Sequence, residues 1–203
     1  MPTTDVEVRD LRPSDLDRVV ELEHAKWDRA QAATRAELYE RIDRLPGHAA
    51  GAFSADGEKL LASMFARPVT RETVRDADSW RGCAYAPLPP AGSTDCVFGV
   101  SLTSTSADAA EALFRSFLPR LADMGYRHLY GGSTVPGLRE WLAAHPAGSP
   151  DAYARATNED GTPLDRQLRY YHMHGFTTIV AVKPNYFPHS QSLNYGVVIH
   201  RSL

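Results

Sequence analysis

Leu168-Arg169-Tyr170-Tyr171-His172-Met173-His174-Gly175-Phe176, followed by Thr177-Thr178-Ile179-Val180-Ala181-Val182, is the stretch on which the fold turns. The first part closes a helix predicted over residues 164–174. Gly175 ends it, because glycine enters the left-handed conformation that terminates a helix without a Cβ penalty. Residues 176–182 are then rich in β-branched side chains and read as a strand. A helix running directly into a strand is the unit from which α/β sheets are built.

The neighbouring segments repeat that alternation. Downstream, residues 184–192 read as a loop and 195–200 as the last strand. Upstream, 137–163 holds a short helix at 138–144 and then polar loop. Residues 126–130 read as a strand followed by Gly131-Gly132-Ser133-Thr134. Ser106 is placed to cap a helix over 107–124, with Ala110, Leu113, Phe117 and Leu121 on one face and Gly125 at its end. Residues 96–102 read as a strand. The 68–95 stretch is mixed, with Pro87-Leu88-Pro89-Pro90 and Gly92 marking a surface loop. Residues 49–53 and 60–65 flank Ala55-Asp56-Gly57 as a hairpin. Leu38, Ile42 and Leu45 define a helix over 34–45, stopped at Pro46-Gly47. A strand over 6–11 precedes a helix opened by Pro13, capped by Ser14 with Asp17 three residues on, and striped by Leu16, Val19, Val20 and the Ala25/Trp27 region. The order β α α β β β α β α β β predicts an α/β fold, a central mixed sheet flanked by helices.

Composition narrows the function. The 203 residues form a single expected domain, residues 1–203, and 43% hydrophobic with 23% charged residues is globular usage. No apolar run reaches the roughly 18 residues of a membrane span, and residues 1–10 lack a signal-peptide pattern, so a cytoplasmic protein with no membrane partner is expected. A formal charge of −3 argues against a nucleic-acid partner held by phosphate neutralisation. Cys83 and Cys96 have no CxxC spacing and read as free thiols. The 8 histidines show no HExxH or other zinc spacing, so no metal is expected. Glu140, Glu159, Asp160 and Asp165 read as solvated loop charge, with an amine-acceptor role as the alternative.

The element order resembles the GNAT superfamily of acyltransferases, and the 168–176 stretch sharpens the resemblance. Tyr171 stands five residues before the Phe of the Gly175-Phe176 pair, where many GNAT enzymes carry a Tyr. A narrower resemblance is to the GNAT-like loading domains of polyketide synthases of the curacin type. Trp27, Thr134 and His172 match their Trp, Thr and His in order. Asn185-Tyr186-Phe187-Pro188 and Tyr195-Gly196-Val197-Val198-Ile199 match their closing loop and strand. GNAT domains fused to carbon–nitrogen hydrolases share this layout.

The resemblance implies an acyltransferase acting on a phosphopantetheine thioester, on coenzyme A or an acyl carrier protein, with a small-molecule acyl acceptor in a specialised biosynthetic pathway. Its alternative is a malonyl or methylmalonyl thioester decarboxylase, and its second alternative a non-catalytic binding module. Decarboxylation needs a donor at the thioester oxygen and a proton source, for which Thr134 and His172 are the candidates. Transfer needs an acid for the thiolate, and Tyr171 is the candidate by position. Trp27 reads as core or, under the resemblance, as an acyl-contacting wall. Gly132 and Phe187 are the other candidate substrate contacts. Phe187 stands where the loading domains have an Arg suited to a carboxylate. Leu102, Thr103, Ser106 and Ala107 are the candidate cofactor contacts. The Thr105-Ser106-Ala107-Asp108-Ala109-Ala110 stretch has neither the glycines nor the basic residue of the family's pyrophosphate loop, and Asp108 would repel a pyrophosphate. A carrier-bound arm lacks that pyrophosphate.

Overall fold

The computed structural model describes residues 6–27 and 32–203. In chain order the elements are β1 (Val6–Asp10), α1 (Leu16–Lys26), α2 (Arg35–Arg44), β2 (Ala49–Ser54), β3 (Leu60–Pro68), α3 (Arg71–Asp76), α4 (Trp80–Ala84), β4 (Cys96–Ser104), α5 (Ala107–Asp123), β5 (His128–Thr134), α6 (Leu138–Ala144), α7 (Pro150–Arg155), α8 (Arg166–Met173), β6 (Thr178–Lys183) and β7 (Gly196–Ser202). The α/β expectation holds: a β-sheet carries helices between its strands. Two compact units share the chain, one of Met1–Arg67, Gly99–Tyr126 and Leu203, the other of Pro68–Phe98 and Arg127–Ser202.

In the first unit β1, β2 and β3 pair antiparallel in sequence order, with a register irregularity at Ala52/Phe53. The long helix α5 lies on β1 and β2 and contributes the buried Leu113, Phe117 and Leu121. Its Ser106 cap accepts from the Ala109 N–H at 3.3 Å, as the sequence predicts. Thr34 and Glu37 make a reciprocal capping box on α2. The Ser14 cap is a correction: a 3-10 turn over Pro13–Asp15 precedes α1, and the Asp15 carboxylate takes the Arg12 N–H at 2.9 Å. That carboxylate is buried and also receives both Nη atoms of Arg9. A charged acceptor reaches donors that a short serine hydroxyl does not.

In the second unit β7 lies between β5 and β6, antiparallel to both. Gly132 pairs with Val198 and Thr134 with Gly196. Three short helices, α3, α4 and α7, stand where the sequence reads as mixed or polar loop. Each is capped by a hydroxyl, Thr70, Ser79 and Ser149 respectively. The end of the strand read over 126–130 is corrected too. Gly131-Gly132-Ser133-Thr134 is the second half of β5 rather than a loop after it, because all four residues pair with β7.

Candidate active site

In the second unit, β5 sorts its side chains by strict alternation. Leu129, Gly131 and Ser133 are buried, while His128, Tyr130, Gly132 and Thr134 share the half-buried face. Aromatic rings close over that second face. A Cβ on Gly132 would stand 2.9 Å from both Phe187 Cζ and Tyr186 Cε1, so glycine is what admits the rings. Phe187 also lies edge-on to Tyr186, with centroids 5.0 Å apart, and tilted to Trp80 at 6.4 Å. The structure therefore brings Gly132 and Phe187 together and puts Thr134 two residues along the same face. The surroundings of Phe187 are aromatic.

The opposite face of β5 belongs to Phe176, whose ring lies 3.7 Å from a Cβ built on Gly131. Tyr171 meets Phe176 edge to face at 5.5 Å. Burial pushes the Tyr171 phenol up to about 12, with nearby Gln167 opposing part of the shift. Tyr171 thus holds its proton at neutral pH. His172 is the next residue on α8, half-buried, and its ring nitrogens have no hydrogen-bond partner among the described residues. No hydrogen bond joins His172 or Tyr171 to Thr134 among the described residues.

Two networks that sequence reading missed anchor this unit. Asp165 is not solvated loop charge. It is 1% exposed and caps α8, accepting from the Gln167 and Leu168 amides at 2.8 and 3.2 Å, from Tyr153 Oη at 2.8 Å and from the Gly137 amide at 3.2 Å. Glu140, Glu159 and Asp160 are exposed as expected. The end of β5 is tied to the Phe187 loop through Ser192, which is fully buried. The Val135 N–H donates to Ser192 Oγ at 2.9 Å, and that oxygen lies 2.7 Å from His189 Nδ1. His189 Nδ1 also accepts the Ser192 N–H at 3.2 Å. This is a local cap whose serine is closed to solvent, not a nucleophile and its base.

In the first unit, Trp27 and Thr103 come together. Trp27 is 37% exposed, and its Nε1–H donates to Thr103 Oγ1 at 2.9 Å. An indole nitrogen only donates, so Thr103 accepts there and passes its own proton to Glu23 Oε2, 2.9 Å away. Glu23 Oε1 accepts the Ala33 N–H at 3.0 Å. Glu23 is 3% exposed. Its one sequence signal is its place in the helical stripe, four residues before Trp27. Leu102 is half-buried beside Thr103. Ser106 and Ala107 begin α5, where the Ser106 N–H is already taken by Ser104 Oγ at 3.1 Å and the Ala109 N–H by Ser106 Oγ. Two of the amides that would face a pyrophosphate there are thus taken by serine hydroxyls, and the acidic Asp108 sits in the first turn.

Cys83 and Cys96 are buried and are not joined in a disulfide. Among the described residues no three His, Cys, Asp or Glu side chains gather to hold a metal, and no helix is long and apolar enough to cross a membrane.

No protein-family model and no curated protein sequence matches the chain. Solved structures do. The loading GNATL domain of CurA from Lyngbya majuscula superposes with a TM-score of 0.80 at 20% identity, covering 98% of each chain. The GphF GNAT-like decarboxylase, in complex with isobutyryl-CoA, gives 0.78 at 22%, covering 97% of this chain and 98% of its own. The ribosomal-protein-S18-alanine N-acetyltransferase from Escherichia coli gives 0.58 at 12%, covering 98% and 94%. The chain has the GNAT fold, an enzyme fold that among these structures serves both acetyl transfer and decarboxylation.

Proposed function

We propose that this GNAT-fold chain removes carbon dioxide from a malonyl-type acyl thioester, the arm being presented by an acyl carrier protein. This places decarboxylation, the alternative of the sequence reading, ahead of acyl transfer. The observation that carries it is the graded likeness over the full chain: 0.80 and 0.78 to a GNATL loading domain and a GNAT-like decarboxylase, against 0.58 to an N-acetyltransferase. The reading treats residues 1–203 as one GNAT-like domain.

The chemistry asks for few groups. The bond from the α-carbon to the carboxylate breaks, carbon dioxide leaves, and the electron pair becomes an enolate with its charge on the thioester oxygen. Thr134 donates its hydroxyl to that oxygen. His172 delivers the proton that completes an acetyl or propionyl thioester. In the first unit, Trp27 is the acyl-contacting residue. Phe187, seated among Trp80, Tyr186 and Gly132, offers a carboxylate no cation, which favours its departure. Transfer to an amine is supported less well. β4 carries no carboxylate to act as base, and the Tyr171 ring, its acid, packs edge to face on Phe176. The serine-capped, acidic start of α5 supports a carrier-bound arm over coenzyme A, although GphF is in complex with an acyl-CoA.

The test is turnover of malonyl- and methylmalonyl-carrier protein by wild type, His172→Ala, Thr134→Val and Tyr171→Phe. Loss of carbon dioxide release in the first two with retention in the third is expected. Decarboxylation that survives His172→Ala and Thr134→Val, or amine acylation that depends on Tyr171, would overturn the assignment.

A further inference from the structure

We infer that Glu23 is a positioning residue that fixes the Trp27 indole through Thr103. The inference rests on the reading that Trp27 touches the acyl thioester. The chain of bonds has one direction. Trp27 Nε1–H has a proton to give and no lone pair to receive one, so Thr103 Oγ1 accepts from it at 2.9 Å and must aim its own proton at Glu23 Oε2, also 2.9 Å away. Glu23 holds its carboxylate still by taking the Ala33 N–H on the other oxygen at 3.0 Å. Thr103 is 1% exposed and Glu23 3%, while Trp27, the residue they hold, is 37% exposed. Among the described residues no ion pair reaches Glu23. Burying a carboxylate is a costly way to hold one hydroxyl in a core. It is a reasonable way to hold an exposed ring at one angle, because two buried bonds stand behind a single aromatic face.

Glutamine cannot replace it. An amide facing both Thr103 O–H and Ala33 N–H offers one acceptor where two are needed.

The test uses the 15N-labelled full chain. Among the indole signals, that of Trp27 is identified by its loss in Trp27→Phe. Thr103→Val, which keeps the side chain's shape, should speed solvent exchange of the Trp27 indole proton by about tenfold, and Glu23→Gln should move the same signal. Thr103→Ser should restore the wild-type rate. On malonyl-carrier protein, kcat/KM should fall about tenfold in Thr103→Val and recover in Thr103→Ser. An indole signal indifferent to Glu23→Gln and Thr103→Val overturns the inference. So does an altered signal with unchanged turnover in an active enzyme. If wild type turns over no malonyl thioester, the functional reading fails, while the indole exchange still decides the relay.

Discussion

Gly196→Ala puts a methyl group into the most crowded point of the aromatic face. A Cβ there would stand 2.4 Å from Tyr186 Cδ1 and 2.8 Å from both Tyr186 Cβ and Phe187 Cδ2. Ordinary carbon contacts lie at about 3.5–4.0 Å, so the overlap with Tyr186 exceeds roughly 1 Å. Tyr186 has nowhere to retreat. It is 2% exposed, its carbonyl accepts the Trp80 N–H at 3.1 Å, and its phenol lies 3.8 Å from Cys83 Sγ. Overpacking of this kind costs about 1–3 kcal/mol. For a chain of this size each kcal/mol lowers the melting temperature by about 2–4 °C, so a fall of roughly 2–12 °C is expected. Calorimetry or circular dichroism at matched pH measures it. Gly196 pairs with Thr134, so the displaced Phe187 should also lower kcat/KM toward a malonyl thioester. A melting temperature within about 1 °C of wild type would refute the packing argument, since a shift that small is below the cost of any real overlap.

Three further outcomes follow from the same contacts. Burial holds His48, His189 and His200 below the ordinary value of 6.5, so the unfolded chain takes up their protons first. Stability should therefore be level with respect to these groups above that value and fall as pH drops through the lowered ones. Urea midpoints at pH 7.5 and 5.5 check this, and an equal or higher midpoint at 5.5 contradicts it. Asp165→Ala orphans four donors, among them Tyr153 Oη and the Gly137 amide, and should cost more than about 3 kcal/mol by urea melt. Lys183→Met removes an ammonium that donates to the Arg75, Ala77 and Val74 carbonyls at 2.7, 2.6 and 3.3 Å, at the C-terminal end of α3. A loss of about 1–2 kcal/mol is expected, with amide exchange in α3 accelerating first.

The parts of the fold that were legible are those whose signals are local. α5 announces itself through Ser106, a four-residue apolar face and Gly125. The β2–β3 hairpin does so through Ala55-Asp56-Gly57. α3, α4 and α7 have five or six residues each, too few for a hydrophobic period to repeat, and only their hydroxyl caps mark them. The strand reads as ending at Tyr130, with Gly131-Gly132 as a close backbone approach after it. Here the missing side chains make room for Phe187 and Tyr186 over Gly132, a requirement set by residues some fifty positions away. Asp165 and Glu23 look like ordinary surface acids in sequence. Their partners, Gly137 and Tyr153 for one and Thr103 for the other, are brought by tertiary structure. Trp27, Thr134 and His172 are candidates by resemblance alone, and no local pattern distinguishes them.

The central claim is tested most directly by intact mass spectrometry of a carrier protein loaded with malonyl or methylmalonyl and incubated with this chain, without added amine. The arm should lose the mass of carbon dioxide and stay acylated, as acetyl or propionyl, with an acetyl-loaded carrier left unchanged. A malonyl arm that stays intact, or an acyl group that leaves only when an amine is supplied, would contradict it.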